Sequence, residues 1–169
     1  MTECEHTLGF RPVAEPDLRA LNRIVNDPDV GRFLMLQPPV SLESTRRLYH
    51  ECIREGALWY AIVADGCVVG SVLLRAHSKE SKQSHVAEVG IELAKDYWSR
   101  GIGAKAVEFI LGKAKELKIK RLELAVAQVN LRARRLYLRH GFKVEGTKRK
   151  AYIMKGRYHN LVLMARMIP

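Results

Sequence analysis

The sequence predicts an α/β (α+β) domain with a mixed central β-sheet of about seven strands, flanked by about four helices. Three observations support this fold class. The chain has 169 residues, enough for one domain with a sizeable core, so we treat residues 1–169 as a single domain. Its composition is 47% hydrophobic and 28% charged, as in globular proteins. Its hydrophobic periodicity alternates between strand-like and helix-like without a strict βα repeat.

The first half of the chain is predicted to contain four strands and two helices. Residues 8–13 form the first strand, and a helix begins at Glu15 and ends near Asn26 because its apolar residues share one face. Ser41 is a candidate N-cap for a helix that ends near Glu55. Three strands follow, the first two joined by a turn at Asp65-Gly66: Leu58–Ala64, 68–76 and Val86–Leu93.

The second half is predicted to contain three strands and two helices. Residues 101–117 form an amphipathic helix, and a strand at 122–126 leads to a shorter helix at 130–140. Gly141 stands where a left-handed residue ends many helices. Residues 144–154 and Arg157–Met167 then form two strands joined by a turn at Lys155-Gly156.

Charge and cysteine content restrict the partners and the compartment. Residues 1–94 carry 10 Lys/Arg and 13 Asp/Glu, whereas residues 95–169 carry 19 and 5, so the second half is expected to attract an anionic partner. The three cysteines match no zinc spacing, and no metal is expected. No apolar run is long enough to span a membrane, and we expect no membrane partner. Without a recognisable signal peptide or disulfide pattern, we expect a reduced, cytoplasmic protein.

A glycine turn, WSRGIGA at positions 98–104, lies between a strand and the longest predicted helix. Glycine lets backbone amides approach a ligand closely, and a helix N-terminus adds unpaired N–H donors and a partial positive charge. The turn is therefore suited to a phosphate or diphosphate, although a turn without a ligand stays open as an alternative. The loose dinucleotide pattern G-x-G-x-x-A also matches. It is disfavoured because the turn does not follow its strand directly and no acidic residue ends the next strand.

A second motif, NLRARRLYLRHGF at positions 130–142, follows the next strand. The pattern N-x-x-A-x-x-L-Y-x-x-x-G-F at this distance after R-G-x-G-A resembles the GNAT superfamily of acyl-CoA-dependent N-acetyltransferases, and the resemblance covers nearly the whole chain. The tail contains Gly146, GRYHN at 156–160 and LMA at 163–165. It resembles the branch with the ribosomal-protein N-terminal, spermidine, and amino-acid or antibiotic acetyltransferases.

The resemblance implies a site for acetyl-CoA, the acetyl donor. Leu93 and Ala94 would offer backbone groups to its pantetheine arm, Asn130 would contact the same arm, and Arg132 would meet the phosphorylated ribose. The diphosphate would lie on the amides of the turn formed by Trp98, Ser99, Arg100, Gly101, Ile102, Gly103 and Ala104. The family often has Gln or Arg at the position of Trp98, so a side-chain contact from this residue is not implied.

The resemblance also implies the catalytic groups. Tyr137 would stand near the sulfur as general acid, since an ordinary phenol pKa of about 10 lies close to that of a thiol; a core tyrosine is the alternative. Glu88 and Glu92 share one face of their strand, and either would draw a proton from the amine, directly or through water, unless both simply face solvent. His159 is a further candidate base.

The resemblance implies direct transfer to a primary amine, so Cys52 and Cys67 are interpreted as packing residues and not as nucleophiles. The first half of the chain builds the acceptor pocket in relatives and is mildly acidic here, which favours a cationic acceptor. We rank a protein N-terminus first, a polyamine second, and an amino acid or small antibiotic third. The resemblance also implies a homodimer, because members of this family commonly form dimers.

Two other function classes stay open. A nucleic-acid-binding module would use the basic half, but the basic stretch 132–139 contains a single aromatic residue, Tyr137, and so lacks a stacking platform. We therefore disfavour a nucleic-acid partner. A catalytically silent acyl-CoA sensor would bind the donor without turning it over.

Overall fold

The structure, a computed structural model, describes residues 7–169. Short 3-10 turns at Glu15–Asp17 and Lys95–Tyr97 interrupt the loops. Within the described residues, no helix has both the length and the apolar character needed to cross a membrane. The main elements in chain order are β1 (Leu8–Pro12), α1 (Leu18–Asn26), α2 (Pro28–Gly31), α3 (Leu42–Glu55), β2 (Leu58–Ala64), β3 (Cys67–Ala76), β4 (Val86–Leu93), α4 (Ile102–Glu116), β5 (Arg121–Ala127), α5 (Leu131–Arg139), β6 (Lys143–Met154) and β7 (Arg157–Met167).

The seven strands form one sheet in the order β1-β2-β3-β4-β5-β7-β6. Neighbouring strands are antiparallel except β4 and β5, which are parallel. The predicted mixed seven-stranded sheet is therefore confirmed. The described residues contain five α-helices, one more than predicted. The additional helix, α2, has four residues capped by the side chain of Asp27, too few for a periodic pattern.

The parallel pair is the irregular place in the sheet. β4 and β5 pair only where Val86, Ala87 and Glu88 lie opposite Arg121, Leu122 and Glu123. Beyond this point the two strands separate. The last five residues of β4 and the last four of β5 therefore face each other without ladder hydrogen bonds, and an opening runs into the sheet between them.

Hydrophobic residues pack on both faces of the sheet. On one face α4 and α5 cover a core that includes Val107, Ile110 and Phe142, together with Ile91 and Leu93 of β4. On the other face α1, α2 and α3 cover a smaller core that includes Leu21, Val30 and Trp59. Because side chains alternate along β4, Glu92 lies on the second face while its two neighbours lie on the first.

Local signals in the sequence correspond to the observed ends of elements. The Ser41 hydroxyl accepts a hydrogen bond from the Ser44 N–H and caps α3. Gly141 has φ 78°, as a left-handed helix end requires, and Lys155-Gly156 form the last turn with φ 49° and 73°. The helix predicted from Glu15 begins as a 3-10 turn and becomes α-helical at Leu18.

Candidate active site

A cavity of about 650 Å³ occupies the opening between β4 and β5. Residues 89–93 of β4 form one wall, and 124–126 of β5 form the opposite wall. The segment at and after α2 contributes apolar side chains from one face of the sheet: Val30, Phe33, Leu34 and Met35. The glycine turn and α5 contribute from the other face. The cavity therefore reaches both faces of the sheet, so that two molecules could meet in it from opposite sides.

The glycine turn presents a row of unused backbone donors to this cavity. Ser99 and Gly101 have φ of 60° and 80°, and α4 begins directly after Gly101. Among the described residues, the N–H groups from Ser99 to Gly103 have no hydrogen-bond partner. Five successive free amides at a helix N-terminus favour an anion. Gly103 packs closely against α5, since a Cβ there would stand 3.1 Å from a methyl group of Leu136.

One face of α5 adds full positive charges. Arg132, Arg135 and Arg139 recur at helical spacing and line the cavity. Within residues 7–169, none of the three has a carboxylate within 4.0 Å. Burial and the neighbouring charge of Arg32 lower the pKa of Arg132. Cations that repel each other and lack acidic partners favour a multiply charged anionic ligand beside the amides.

The side chain of Trp98 contacts two elements that line the cavity, β4 and α5. Its indole N–H donates to the carbonyl oxygen of Leu93 at 2.7 Å, and the Arg132 guanidinium lies 3.5 Å from the centre of its ring. The side chain thus positions a cationic residue, although the family pattern implied no contact from it. The carbonyl of Leu93, expected to be free for the pantetheine arm, already has this internal partner.

Asn130 begins α5 at the edge of the cavity. Its side-chain oxygen accepts a hydrogen bond from the Ala133 N–H at 3.1 Å and caps the helix. Its side-chain amide nitrogen has no partner among the described residues and is available to a ligand. The residue therefore combines a structural contact with a free donor at the cavity.

Glu92 supplies the one acidic side chain among the described residues that line the cavity. Burial raises the pKa of Glu92, and a hydrogen bond from the Ser71 hydroxyl lowers it in part. The hydroxyl lies 2.5 Å from Oε1 of the carboxylate. The approach of β3 to β4 is close here, because a side chain at Gly70 would collide with the carbonyl oxygen of Glu92. A carboxylate with a raised pKa beside a cavity is suited to proton transfer.

Tyr137 projects from α5 into the same cavity. Its ring packs edge-on against Phe142, with centroids 5.4 Å apart, and 6% of its surface is exposed. Burial raises the pKa of Tyr137 to about 12, above the ordinary phenol value used in the sequence argument. Within residues 7–169, no protein group hydrogen-bonds its hydroxyl. The phenol is therefore a neutral donor at every physiological pH.

Several predicted residues lie away from the cavity. Glu88 is exposed and lies beside His77 and Glu123, with ligand atoms of the three within 4.8 Å of one another. Glu88 misses the cavity because it lies in the short region where β4 still pairs with β5. This grouping of a residue just after β3 with residues of β4 and β5 had no signal in sequence spacing. Its geometry is that of potential metal ligands, but it is separate from the cavity.

Ala94 also lies outside the cavity lining. Its N–H donates to Val69 and its carbonyl accepts from Tyr97, so both backbone groups expected to meet the pantetheine arm have internal partners. The Arg100 side chain points to the ring of Tyr97, 5.2 Å away, and the Ile102 side chain is buried in the core. For these two residues only the backbone N–H belongs to the row of free amides.

The remaining candidates are also remote. His159 stacks on Tyr152, with ring centroids 5.2 Å apart, and does not line the cavity. Cys52 is buried, and burial raises the pKa of its thiol, as a packing residue requires. Cys67 is exposed at the start of β3, so its interpretation as a packing residue is wrong. Cys4 lies outside the described residues.

Sequence reasoning missed two parts of the cavity. Arg135 and Arg139 share a helix face with Arg132, and the i, i+3, i+7 spacing was a signal that could have found them. The apolar wall at and after α2 had no such signal, because α2 has only four residues and the segment packs beside β4 only in the folded chain.

The family that this chain matches has an activity consistent with the chemistry of the site. Residues 7–143 match the family described as acetyltransferase (GNAT) domain. This match extends over most of the chain, so the protein belongs to the GNAT family and is an N-acetyltransferase.

Individual relatives differ in the acceptor that their names state. An L-amino acid N-acetyltransferase, AaaT, of Escherichia coli (strain K12) is 30% identical over 115 residues, 68% of this chain and 70% of the relative. The crystal structure of a ribosomal-protein-alanine N-acetyltransferase from Brucella melitensis superposes with a TM-score of 0.84 at 25% identity, covering 94% of this chain and 99% of that one. A spermidine N-acetyltransferase from Vibrio cholerae, solved with CoA and spermine, superposes with a TM-score of 0.84 at 22% identity, covering 95% of each chain.

Proposed function

We propose that this protein transfers an acetyl group directly from acetyl-CoA to a primary amine. One observation carries the proposal. A single cavity that reaches both faces of the sheet combines a row of free amides and unpaired arginines with a half-buried carboxylate and a phenol. Such a cavity supports simultaneous binding of donor and acceptor, so that no covalent enzyme intermediate is required. Neither free cysteine among the described residues lines it.

The donor end of the site fits the phosphates of coenzyme A. The amides from Ser99 to Gly103 would receive the diphosphate, and the row Arg132, Arg135 and Arg139 would meet the remaining phosphate charge. The unpaired edge of β4 from Val89 would accept the pantetheine arm like an added strand, with the Asn130 amide as a further donor. Acetyl-CoA, when bound, supplies the acetyl group as a reactive thioester.

Glu92 would act as the general base. An amine is protonated at neutral pH and cannot attack a carbonyl until it loses a proton. Because burial raises the pKa of Glu92, its carboxylate is a stronger base than an exposed glutamate and accepts that proton more readily. Glu88 is not assigned this role, since it is exposed and away from the cavity.

Tyr137 would donate a hydrogen bond, and finally a proton, to the leaving sulfur. Its pKa of about 12 lies well above the pKa of about 8.5 of a simple thiol, so complete transfer to a free thiolate is uphill. The phenol therefore acts first as a neutral hydrogen-bond donor to the charge that develops on sulfur. This replaces the near-equal proton affinities expected from the ordinary phenol value.

The acceptor side of the cavity favours a single amino group with an apolar neighbour. The α2 segment contributes Val30, Phe33, Leu34 and Met35, and Glu92 is the one acidic side chain in the described lining. The charge of the first half of the chain predicted an acidic acceptor pocket. The described residues that line this side of the cavity are instead mainly apolar. A polyamine would bring additional ammonium groups without carboxylates to pair them. We therefore place a peptide N-terminus first and a free amino acid with an apolar side chain second.

A panel of acceptors tests this proposal. The purified protein is mixed with acetyl-CoA and release of CoA is measured with a thiol reagent. The acceptors are peptides that begin with Ala, Ser or Met, free L-methionine and L-leucine, and spermidine, with an Nα-blocked peptide as control. We expect turnover with the peptides or the apolar amino acids and none with the blocked peptide. Faster turnover of spermidine would contradict the acceptor assignment. Acetyl-CoA binding without turnover of any amine would support the silent sensor.

A further inference from the structure

A chain of hydrogen bonds crosses three strands and ends on the proposed base. The indole N–H of Trp59 on β2 donates to the Ser71 hydroxyl oxygen on β3 at 2.7 Å. The Ser71 hydroxyl donates in turn to Oε1 of Glu92 on β4 at 2.5 Å. Ser71 lies directly opposite Glu92 in the β3–β4 register and is 1% exposed. None of the comparisons or the sequence motifs assigns a role to Trp59 or Ser71.

The direction of this chain follows from its chemistry. An indole nitrogen can only donate, so the Ser71 oxygen must accept from Trp59. The Ser71 hydroxyl has a single proton, and among the described residues Oε1 of Glu92 is its acceptor. A protonated Oε1 would place two protons in one short contact. A proton gained by Glu92 therefore resides on Oε2, which has no partner among the described residues.

We propose that Ser71, held in place by Trp59, is a positioning residue that orients Glu92 so that Oε2 receives the proton of the acceptor amine. This inference rests on the proposed function of Glu92 as the base. The hydrogen bond to Oε1 also stabilises the charged form of this half-buried carboxylate, opposing the effect of desolvation on its pKa. Ser71 thus favours the ionised form, in which Glu92 can accept a proton.

Other charged groups surround this part of β4 at a greater remove. Ser71 is the one neighbouring group whose contact changes the pKa of Glu92, beside burial itself. The other charged or titratable groups on the elements packed around it include Arg75 on β3, ion-paired with Glu55; Glu88 on β4; Glu123 on β5, ion-paired with Arg121; Arg19 and Arg23, exposed on α1; Asp29 on α2, ion-paired with Lys95; Arg32 after α2; the pairs Lys105–Glu108 and Lys113–Glu116 on α4; and Tyr137, Arg132, Arg135 and Arg139 on α5.

The test measures the pKa of Glu92 directly. Full-length protein labelled with ¹³C at the glutamate carboxyl carbon is titrated by NMR, and Glu92→Gln identifies the signal. We expect Ser71→Ala to raise the pKa of Glu92 by about one pH unit, a tenfold change, because a donor to the charged form is lost. Ser71→Thr retains the hydroxyl and should restore the wild-type value. Thr45→Val removes a buried hydroxyl outside the cavity and should leave it unchanged.

Kinetics then separate positioning from structure. With the fastest acceptor of the panel at saturation, the acid limb of the kcat profile should move to higher pH in Ser71→Ala, with an unchanged KM for acetyl-CoA. A purely structural role would lower kcat by the same factor at every pH and would overturn the inference. So would an unchanged pKa of Glu92 in Ser71→Ala. A pKa that moves while the acid limb stays, or full activity in Glu92→Gln, would instead refute Glu92 as the base, and with it both proposals.

Discussion

Removing the Tyr137 hydroxyl is the most direct perturbation of the proposed chemistry. In Tyr137→Phe the ring keeps its contact with Phe142, and no hydrogen bond within the described residues is broken. The variant should therefore fold with nearly wild-type thermal stability. The variant removes only the proposed contact with the leaving sulfur, so that a loss of rate would report on that contact.

The structure limits the size of the expected effect. A general acid well matched to its leaving group contributes about 10²- to 10⁴-fold. The pKa of about 12 makes complete proton transfer from Tyr137 unfavourable, so its benefit is close to that of a hydrogen bond to a charged group. Such a bond contributes roughly 1.5–3 kcal/mol, or about 10- to 150-fold in kcat. We expect a decrease in this range at pH 7.5.

The assay compares kcat, the KM of acetyl-CoA and its Kd by calorimetry in wild type and variant. Tyr158→Phe is a matched control, because that tyrosine is 64% exposed and outside the cavity. We expect Tyr137→Phe to lower kcat and to leave the Kd of acetyl-CoA unchanged within about twofold. We expect Tyr158→Phe to change neither quantity. A kcat within threefold of wild type would refute a role for the phenol at the sulfur. A parallel loss of acetyl-CoA binding would assign the residue to donor binding instead.

Three further perturbations test other parts of the site. Burial raises the pKa of Glu92 in the folded protein, so its contribution to stability is present at low pH and is lost as pH rises through that pKa. Calorimetry should therefore show Glu92→Gln melting a few degrees above wild type at pH 8 and together with it at pH 4; equal melting at pH 8 would argue against a buried charge. Arg135→Ala should weaken acetyl-CoA binding about 5- to 10-fold at low salt and less at 0.5 M, by calorimetry, and a salt-independent loss would exclude a phosphate contact. Gly101→Ala places a Cβ at φ 80°, costing about 1–2 kcal/mol, and should lower both the melting temperature and the affinity for acetyl-CoA; unchanged values of both would mean that the turn does not need glycine.

Much of the architecture could be predicted from local patterns. Alternation gave the seven strands, and caps such as Ser41 and Gly141 marked helix ends, because these signals act between residues close in the chain. The short α2 was missed since a four-residue helix depends on its Asp27 cap and has no periodicity. Glu92 and Glu88 were indistinguishable in sequence, because alternation places both on one face of the strand.

The sequence by itself determined the order of elements, the glycine turn, and the helix and strand on which Tyr137 and Glu92 lie, since each of these depends on neighbours along the chain. The tertiary structure alone decided where β4 and β5 separate, and this separation places the half-buried Glu92 in the cavity lining while Glu88 stays exposed. It also decided the partners of Glu92, because Ser71 and Trp59 reach it only when three strands align. Burial, pKa and hydrogen-bond direction depend on contacts between distant segments, and no local pattern encodes them.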